Sequence, residues 1–377
     1  MIALLLLLQS PSSDIVVTGQ RLIEVQAECA KGGCTPLRDA QATIALAEDR
    51  FRSGDYVEAK HLLSAAISRN KVNGAAAPRP VAALYEAMAT VSLHEGDQDD
   101  YRRAVARQVA TLRDNLPPDD GSVVAATTAL GDMWINLRNY KQAEVTYRGI
   151  EERALEGGRD MAAMMAGMKR VWLAAAMQKS DEVERMLNDL SQRPIAQQPN
   201  VAMALRVVRL RIAAQGADEA TISRLVGEIA QGQGDEPVLI SAPPYASNNA
   251  AADANGHARS FGGVDPVGAS ATDVAAIQWV DVGFWIRSDG RTAEPEILRG
   301  SRNPAWAPSI LKQIEGRRYS PQETGKKDVM GIYRIERVTR RNQYMTPTGS
   351  IIRRRVADNG FEVLDLTGPA AKTPPPS

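Results

Sequence analysis

The chain has 377 residues, 45 basic and 45 acidic side chains and a formal net charge of zero. Its length exceeds one ordinary domain and predicts two bodies with a connector. Two cysteines and three histidines, His61, His94 and His257, lie too far apart in the chain to complete a zinc site.

Met1 to Ser13 carries no charged side chain. The apolar run Leu4 to Leu8, followed by small Ser10, Ser12 and Ser13, reads as a secretory signal and is too short to span a bilayer. It lacks the usual Lys or Arg ahead of the run, so the expectation is a start codon upstream. The alternative is a cytosolic protein with an oily terminus.

Residues 14–35 form an N-terminal extension. Asp14, Ile15, Val16, Val17, Thr18 and Gly19 alternate as a lone strand would, with Val16 and Thr18 on one side and Ile15 and Val17 on the other. Cys29 and Cys34 flank a Gly32-Gly33 turn. In an oxidising compartment they are expected to close a small disulfide loop, worth about 2 kcal/mol.

Residues 36–232 are rich in Ala, Leu, Met, Glu, Gln and Arg at helical spacing. Short polar turns recur at Asp55, Asp97, Asn139 and Asp181, 42 residues apart, and again 37 residues on at Asp218. A period of this size predicts stacked helical hairpins. After the first turn comes Tyr56 with small Ala59, and after the third comes Tyr140 with Ala143 and Tyr147. This grammar resembles the tetratricopeptide repeat, which implies a concave surface that grips a protein partner. Met161, Met164, Met165 and Met168 share a helix face that serves either core packing or adaptable binding.

Residues 233–275 turn to Gly, Ala, Ser, Asn and Pro and read as a linker, with Val238 to Ile240 and Phe261 as apolar points able to pin it to either body. Beyond it the period becomes two. Val280, Val282, Phe284 and Ile286 alternate with Asp281, Gly283, Trp285 and Arg287. Ser288-Asp289-Gly290-Arg291 then signals a hairpin. A second strand over 292–299 follows, then a helix starting at Pro304 or near Pro308 and ending by Gly316. Arg317-Arg318-Tyr319-Ser320-Pro321 leads into a third strand over 330–338, and Ile351 to Arg355 and Phe361 to Leu366 suggest two more. From Val280 to Arg355 there are 16 basic and 8 acidic residues, so this body is positive and the rest equally negative. Such complementarity favours mutual docking or separate partners. The segment 367–377 is a Pro-rich tail.

The stretch Val282 to Arg291, together with Arg317 to Pro321 at that distance, resembles the C-terminal domain of the TonB family over roughly Gln278 to Arg340. The resemblance implies strand addition at an open sheet edge. Asp14 to Gly19 in turn resembles the TonB box, the receptor segment that such domains bind. The expected pairing is between Asp14–Gly19 and an edge strand containing Met330, Ile332, Tyr333, Arg334, Ile335 and Val338, in the same molecule or a neighbour.

The fold class expected is therefore α+β: an N-terminal α-solenoid of TPR-like hairpins, a linker, and a small TonB-like domain over 276–366 with an antiparallel sheet. The expected function is a non-catalytic periplasmic adaptor without cofactor. Its partners would be proteins, among them an outer-membrane receptor or a second copy of the chain, and the basic domain could touch membrane or peptidoglycan. An energy transducer, anchored by a segment upstream of Met1, is the alternative. No nucleophile elbow, phosphate-cradling loop or paired His points to an enzyme. Nucleic acid is not expected, because the basic excess is confined to the sheet domain.

Overall fold

The computed structural model describes residues 19–215, 217–229, 237–245, 276–302, 304–321, 331–346 and 351–367. Eleven helices come first among them: α1 (Gly19–Ala30), α2 (Pro36–Ser53), α3 (Tyr56–Asn70), α4 (Pro78–Glu95), α5 (Gln98–Arg113), α6 (Gly121–Asn136), α7 (Tyr140–Glu156), α8 (Asp160–Ala176), α9 (Ser180–Gln192), α10 (Pro199–Ala213) and α11 (Glu219–Ile229). From α1 to α9 each helix packs on the next, and α10 closes on α8 and α9.

The 42-residue period is a repeated stop-and-start signal. Gly54, Gly96, Arg138 and Gln178 adopt left-handed backbone at φ +88°, +83°, +58° and +60°. The next amide reaches back into the finished helix: Asp55 to Arg50 O, Asp97 to Ser92 O, Asn139 to Trp134 O and Lys179 to Ala174 O, at 2.8 to 3.0 Å. The Asp55, Asp97 and Asn139 side chains then accept from Glu58, Asp100 and Gln142 amides and start the following helix. The fourth turn, read from the sequence as Lys179-Ser180-Asp181, is centred slightly earlier, on Gln178-Lys179. Asp181 stands in the first turn of α9, where a carboxylate suits the positive helix end. At the fifth turn Asp218 caps Thr221.

The aromatic and small residues beside the turns are buried as their sizes suggest, except Tyr140, which stands 38% exposed after the third turn. Tyr56 and Tyr147 are buried, and Ala59 and Ala143 are fully covered where paired helices approach. The methionine face divides: Met164 is buried and Met168 packs beside it, while Met161 and Met165 are 39% and 45% exposed.

The sheet domain contains β2 (Trp279–Ile286), β3 (Thr292–Gly300), α12 (Ala307–Glu315), β4 (Arg318–Tyr319), β5 (Ile332–Met345) and β6 (Arg354–Asp365). Four strands form one antiparallel sheet in the order β3-β2-β5-β6. Val280, Val282, Phe284 and Ile286 face α12 and form a core with Trp306, Ile310 and Ile314. Gly290 turns the hairpin at φ +79°. The stretch expected to give two final strands is one strand, β6, with a register shift between Arg340 and Asn342 on its partner.

The predicted linker is partly built into the fold. In it, β1 (Leu239–Ser241) pairs with β4. Ile240 joins a core with Leu210, Leu225 and Val226 of α10 and α11, while Leu239 and Tyr245 pack on the sheet-domain core. Alternation along three residues thus staples both bodies. Phe261 lies outside the described residues.

Candidate functional site

The two bodies meet along the turns of the first hairpins. The Arg337 side chain, fully buried on β5, carries the contact. Its Nε and Nη2 hold the Asp281 carboxylate at 2.7 and 2.9 Å. Its Nη2 also donates to Arg52 O at 2.6 Å, and Nη1 donates to Phe51 O. One guanidinium therefore caps the C-terminal carbonyls of α2, where a cation complements the helix dipole. The same plane stacks on Trp279 at 3.8 Å and approaches Phe51 at 5.2 Å. Arg299 donates to Asp281 at 2.7 Å from the other side. Planar geometry and five donors suit Arg to this place; lysine, with three donors, could not serve all four acceptor atoms.

The second hairpin docks beside it. His94, at the end of α4, is buried with Nδ1 2.8 Å from Thr339 Oγ1 and its ring edge-on to Phe51. Burial first, and the Arg337 charge second, pull its pKa down to about 3, so the imidazole is neutral. Glu95 accepts from Lys60 at 2.8 Å and from Tyr344 Oη at 3.2 Å, and pairs with Arg355 at 3.4 Å. Burial opposes the Lys60 charge, but Asp100, Glu95 and Asp97 outweigh it and raise the ammonium above its ordinary pKa.

The turn glycines explain how close the bodies come. A Cβ on Gly54 would stand 2.6 Å from Trp279 Nε1, and one on Gly96 would press into the Asn342 carbonyl. Arg138 and Gln178 hold the same left-handed conformation with full side chains that are largely exposed. Glycine is therefore demanded at two of four turns by the docked sheet, beyond the demand of φ.

At the far end Arg318 binds Glu219 of α11 at 2.8 Å, and Ser320 exchanges hydrogen bonds with Val238 at 2.8 and 2.9 Å. Arg317 points inward to Glu336 at 2.8 Å and lies 5.6 Å from the Phe284 ring centroid, and Tyr319 is buried in the core. The Arg317 to Ser320 motif is thus consumed by folding and by docking on the array.

Cys29 and Cys34 form a disulfide, with Cys29 buried against the following helix. Asp14 to Thr18 and Met330 lie outside the described residues. Gly19, read as the end of the lone strand, is the first residue of α1. Ile332, Tyr333, Arg334, Ile335 and Val338 are in β5, but β5 is an interior strand. Its one side pairs with β2, and its other pairs with β6 from Glu336 to Met345. Thr367 and Leu366 extend that cover to Ile335. From Ile335 to Val338 the expected open edge is covered by the chain's own last strand and the two residues after it, because β5 runs seven residues past Val338 and supplies a second ladder. The outermost strands are β3 and β6; β3 carries Pro295 and a positive φ at Glu294, features that blunt an edge.

Sequence reasoning missed Arg337, Asp281, His94 and Glu95 as contact residues. The charge asymmetry allowed mutual docking or separate partners and named no contact residues. Among the described residues there is no group of three or more His, Cys, Asp or Glu placed to hold a metal, and no helix long and apolar enough to cross a membrane.

No protein-family model matches the chain, and no curated protein matches it. Among solved structures it is similar to the nearly identical TPR-like repeats of a kinesin light chain from Podosopora anserina, at 13% identity over 52% of this chain and 94% of that one, TM-score 0.40. It is also similar to BtubC (BKLC) from P. vanneervenii, at 14% identity over 59% and 96%, TM-score 0.41. The helical hairpins are defined by their own turns and packing.

Proposed function

We propose that the chain is a non-catalytic interaction scaffold of an exported, oxidising compartment, in which helical array and sheet domain act as one unit. The observation that carries this is the Arg337 junction. A tethered binding domain would keep its charges and edges for a partner, whereas here the basic residues Arg337, Arg355 and Arg318 are spent on Phe51, Glu95 and Glu219. The Cys29–Cys34 bond and the apolar run before Ser10 support export, hence the periplasmic reading. The strand, hairpin, strand, helix, strand order supports the TonB-like resemblance of the sheet domain. In this reading that domain braces the array, and strand addition at β5 is not part of it.

The partner surface is the exposed side of α8. Met161 and Met165 stand one turn apart there, polarizable and uncovered, and polypeptide binding by such a face is a known use of methionine. A photo-crosslinker replacing Met165 in the exported protein should give one dominant adduct that Met161→Glu abolishes. The same crosslinker at Val72, which is 80% exposed on a distant turn, should give none. Equal adducts from both positions, or none from Met165, would remove this surface from consideration.

A further inference from the structure

Away from the junction, a cavity of about 270 Å³ opens between α5, α6, α7 and the start of α8. Its floor is Pro118, Val123, Val124, Ile150, Ala154 and Ala162. Arg113 of α5, Arg153 of α7 and Arg159 of the turn before α8 line it. Arg159 is held in place, donating to Pro118 O at 3.2 Å and to Arg153 O at 3.0 Å, both uncharged acceptors.

No carboxylate among the described residues pairs with any of these three guanidiniums. The region does not lack acids. On the same helices Arg148 and Arg170 take Glu144, Arg170 and Arg193 take Glu151, and Asp120 of the adjoining loop is bound to Arg79 at 2.5 Å. Three unneutralised cations around an apolar hollow match a ligand with an anionic head and an aliphatic body.

The polar lining decides between a fatty carboxylate and the C-terminus of a peptide. A peptide brings amide N–H groups that need acceptors when buried. Here Pro118 O already accepts from Arg159, and of the lining side chains Thr127 alone carries an acceptor oxygen, a single site for the several N–H groups of a peptide. The other polar side chains of the lining are guanidinium donors. We infer that this cavity binds a short aliphatic carboxylate, its carboxylate bridged by Arg113, Arg153 and Arg159 and its chain on the Val124–Ile150 floor. The volume is at the small end of ligand sites, in keeping with a single unbranched chain.

Calorimetric titration of the whole chain with octanoate tests this, with octanol and acetate as the headless and tailless controls. Octanoate should saturate at one site per chain, and both controls should bind at least about 10-fold more weakly, the loss expected when one charge-assisted contact or the apolar body is removed. Arg113→Gln with Arg153→Gln, both at exposed positions, should weaken octanoate at least about 10-fold with unchanged circular dichroism. Ala162→Phe should abolish binding by filling the hollow; should that variant not fold, the arginine pair still decides. Octanol binding as tightly as octanoate, indifference to the arginine pair, or tighter binding of an apolar tetrapeptide with a free C-terminus would each overturn the inference.

Discussion

The Arg337 guanidinium caps the carbonyl of Phe51, 286 residues earlier in the chain. Through that pair the last third of the protein completes a helix end belonging to the first hairpin. Removing it leaves Asp281, almost fully buried, with Arg299 alone. Arg337→Met should cost about 3–5 kcal/mol, the usual result of breaking a buried pair by one partner. Arg337→Lys should recover less than half, since an ammonium cannot fork between carboxylate and carbonyls. Urea unfolding followed by near-ultraviolet dichroism of Trp279 checks both.

Gly96→Ala should separate the bodies, because its methyl would meet the Asn342 backbone, which cannot swing aside as a side-chain tip does. A loss of about 2 kcal/mol or more is expected, combining overpacking with left-handed strain. Arg138→Gly, at the equivalent turn away from the sheet, should change stability by less than about 1 kcal/mol. Thermal unfolding of the two variants side by side gives the comparison, and equal effects would refute the assignment of glycine to docking.

Acid should loosen the junction before it unfolds carboxylate pairs. The His94 pKa is lowered in the fold, from 6.5 to about 3, so the unfolded chain binds its proton first. Its contribution is intact above pH 6.5 and declines as pH falls toward 3, by about 1.4 kcal/mol per unit. The loss at pH 5 is about 2 kcal/mol. Burial opposes ionisation of Asp39 and Asp100, but Arg69 and Asn70 for the former, and Lys60 and Arg103 for the latter, hold both below the ordinary range. Their effects therefore begin only under pH 4. His94→Asn should flatten the slope between pH 6.5 and 5 in a denaturation series.

Reducing Cys29–Cys34 should release α1 and little else. That helix packs on α2, and the small loop it closes is worth about 2 kcal/mol. Hydrogen exchange in Cys29→Ser/Cys34→Ser should show lost protection over Gly19 to Ala30, with α3 and α4 unchanged.

Much of this architecture is local and was readable without coordinates. Asp55, Asp97 and Asn139 cap helices by contacts within three residues, Asp289-Gly290 bends its own hairpin, and the run Val280 to Ile286 forms a strand, although docking buries both its faces and not one. The disulfide partners stand five positions apart. None of these features needs a distant partner, so residue order carries them. The open edge expected in β5 was misjudged over Ile335 to Val338 for the converse reason. Whether a strand is interior or outermost depends on which later segment returns to it, and β6 pairs across a connection that leaves no mark on β5. The junction is of the same kind: Arg337, His94 and Gly96 look like a surface charge, a helix-end histidine and an ordinary turn residue until the bodies meet. Their roles arise from exclusion of water between surfaces hundreds of residues apart, where charge, desolvation and close approach are properties of the assembled pair.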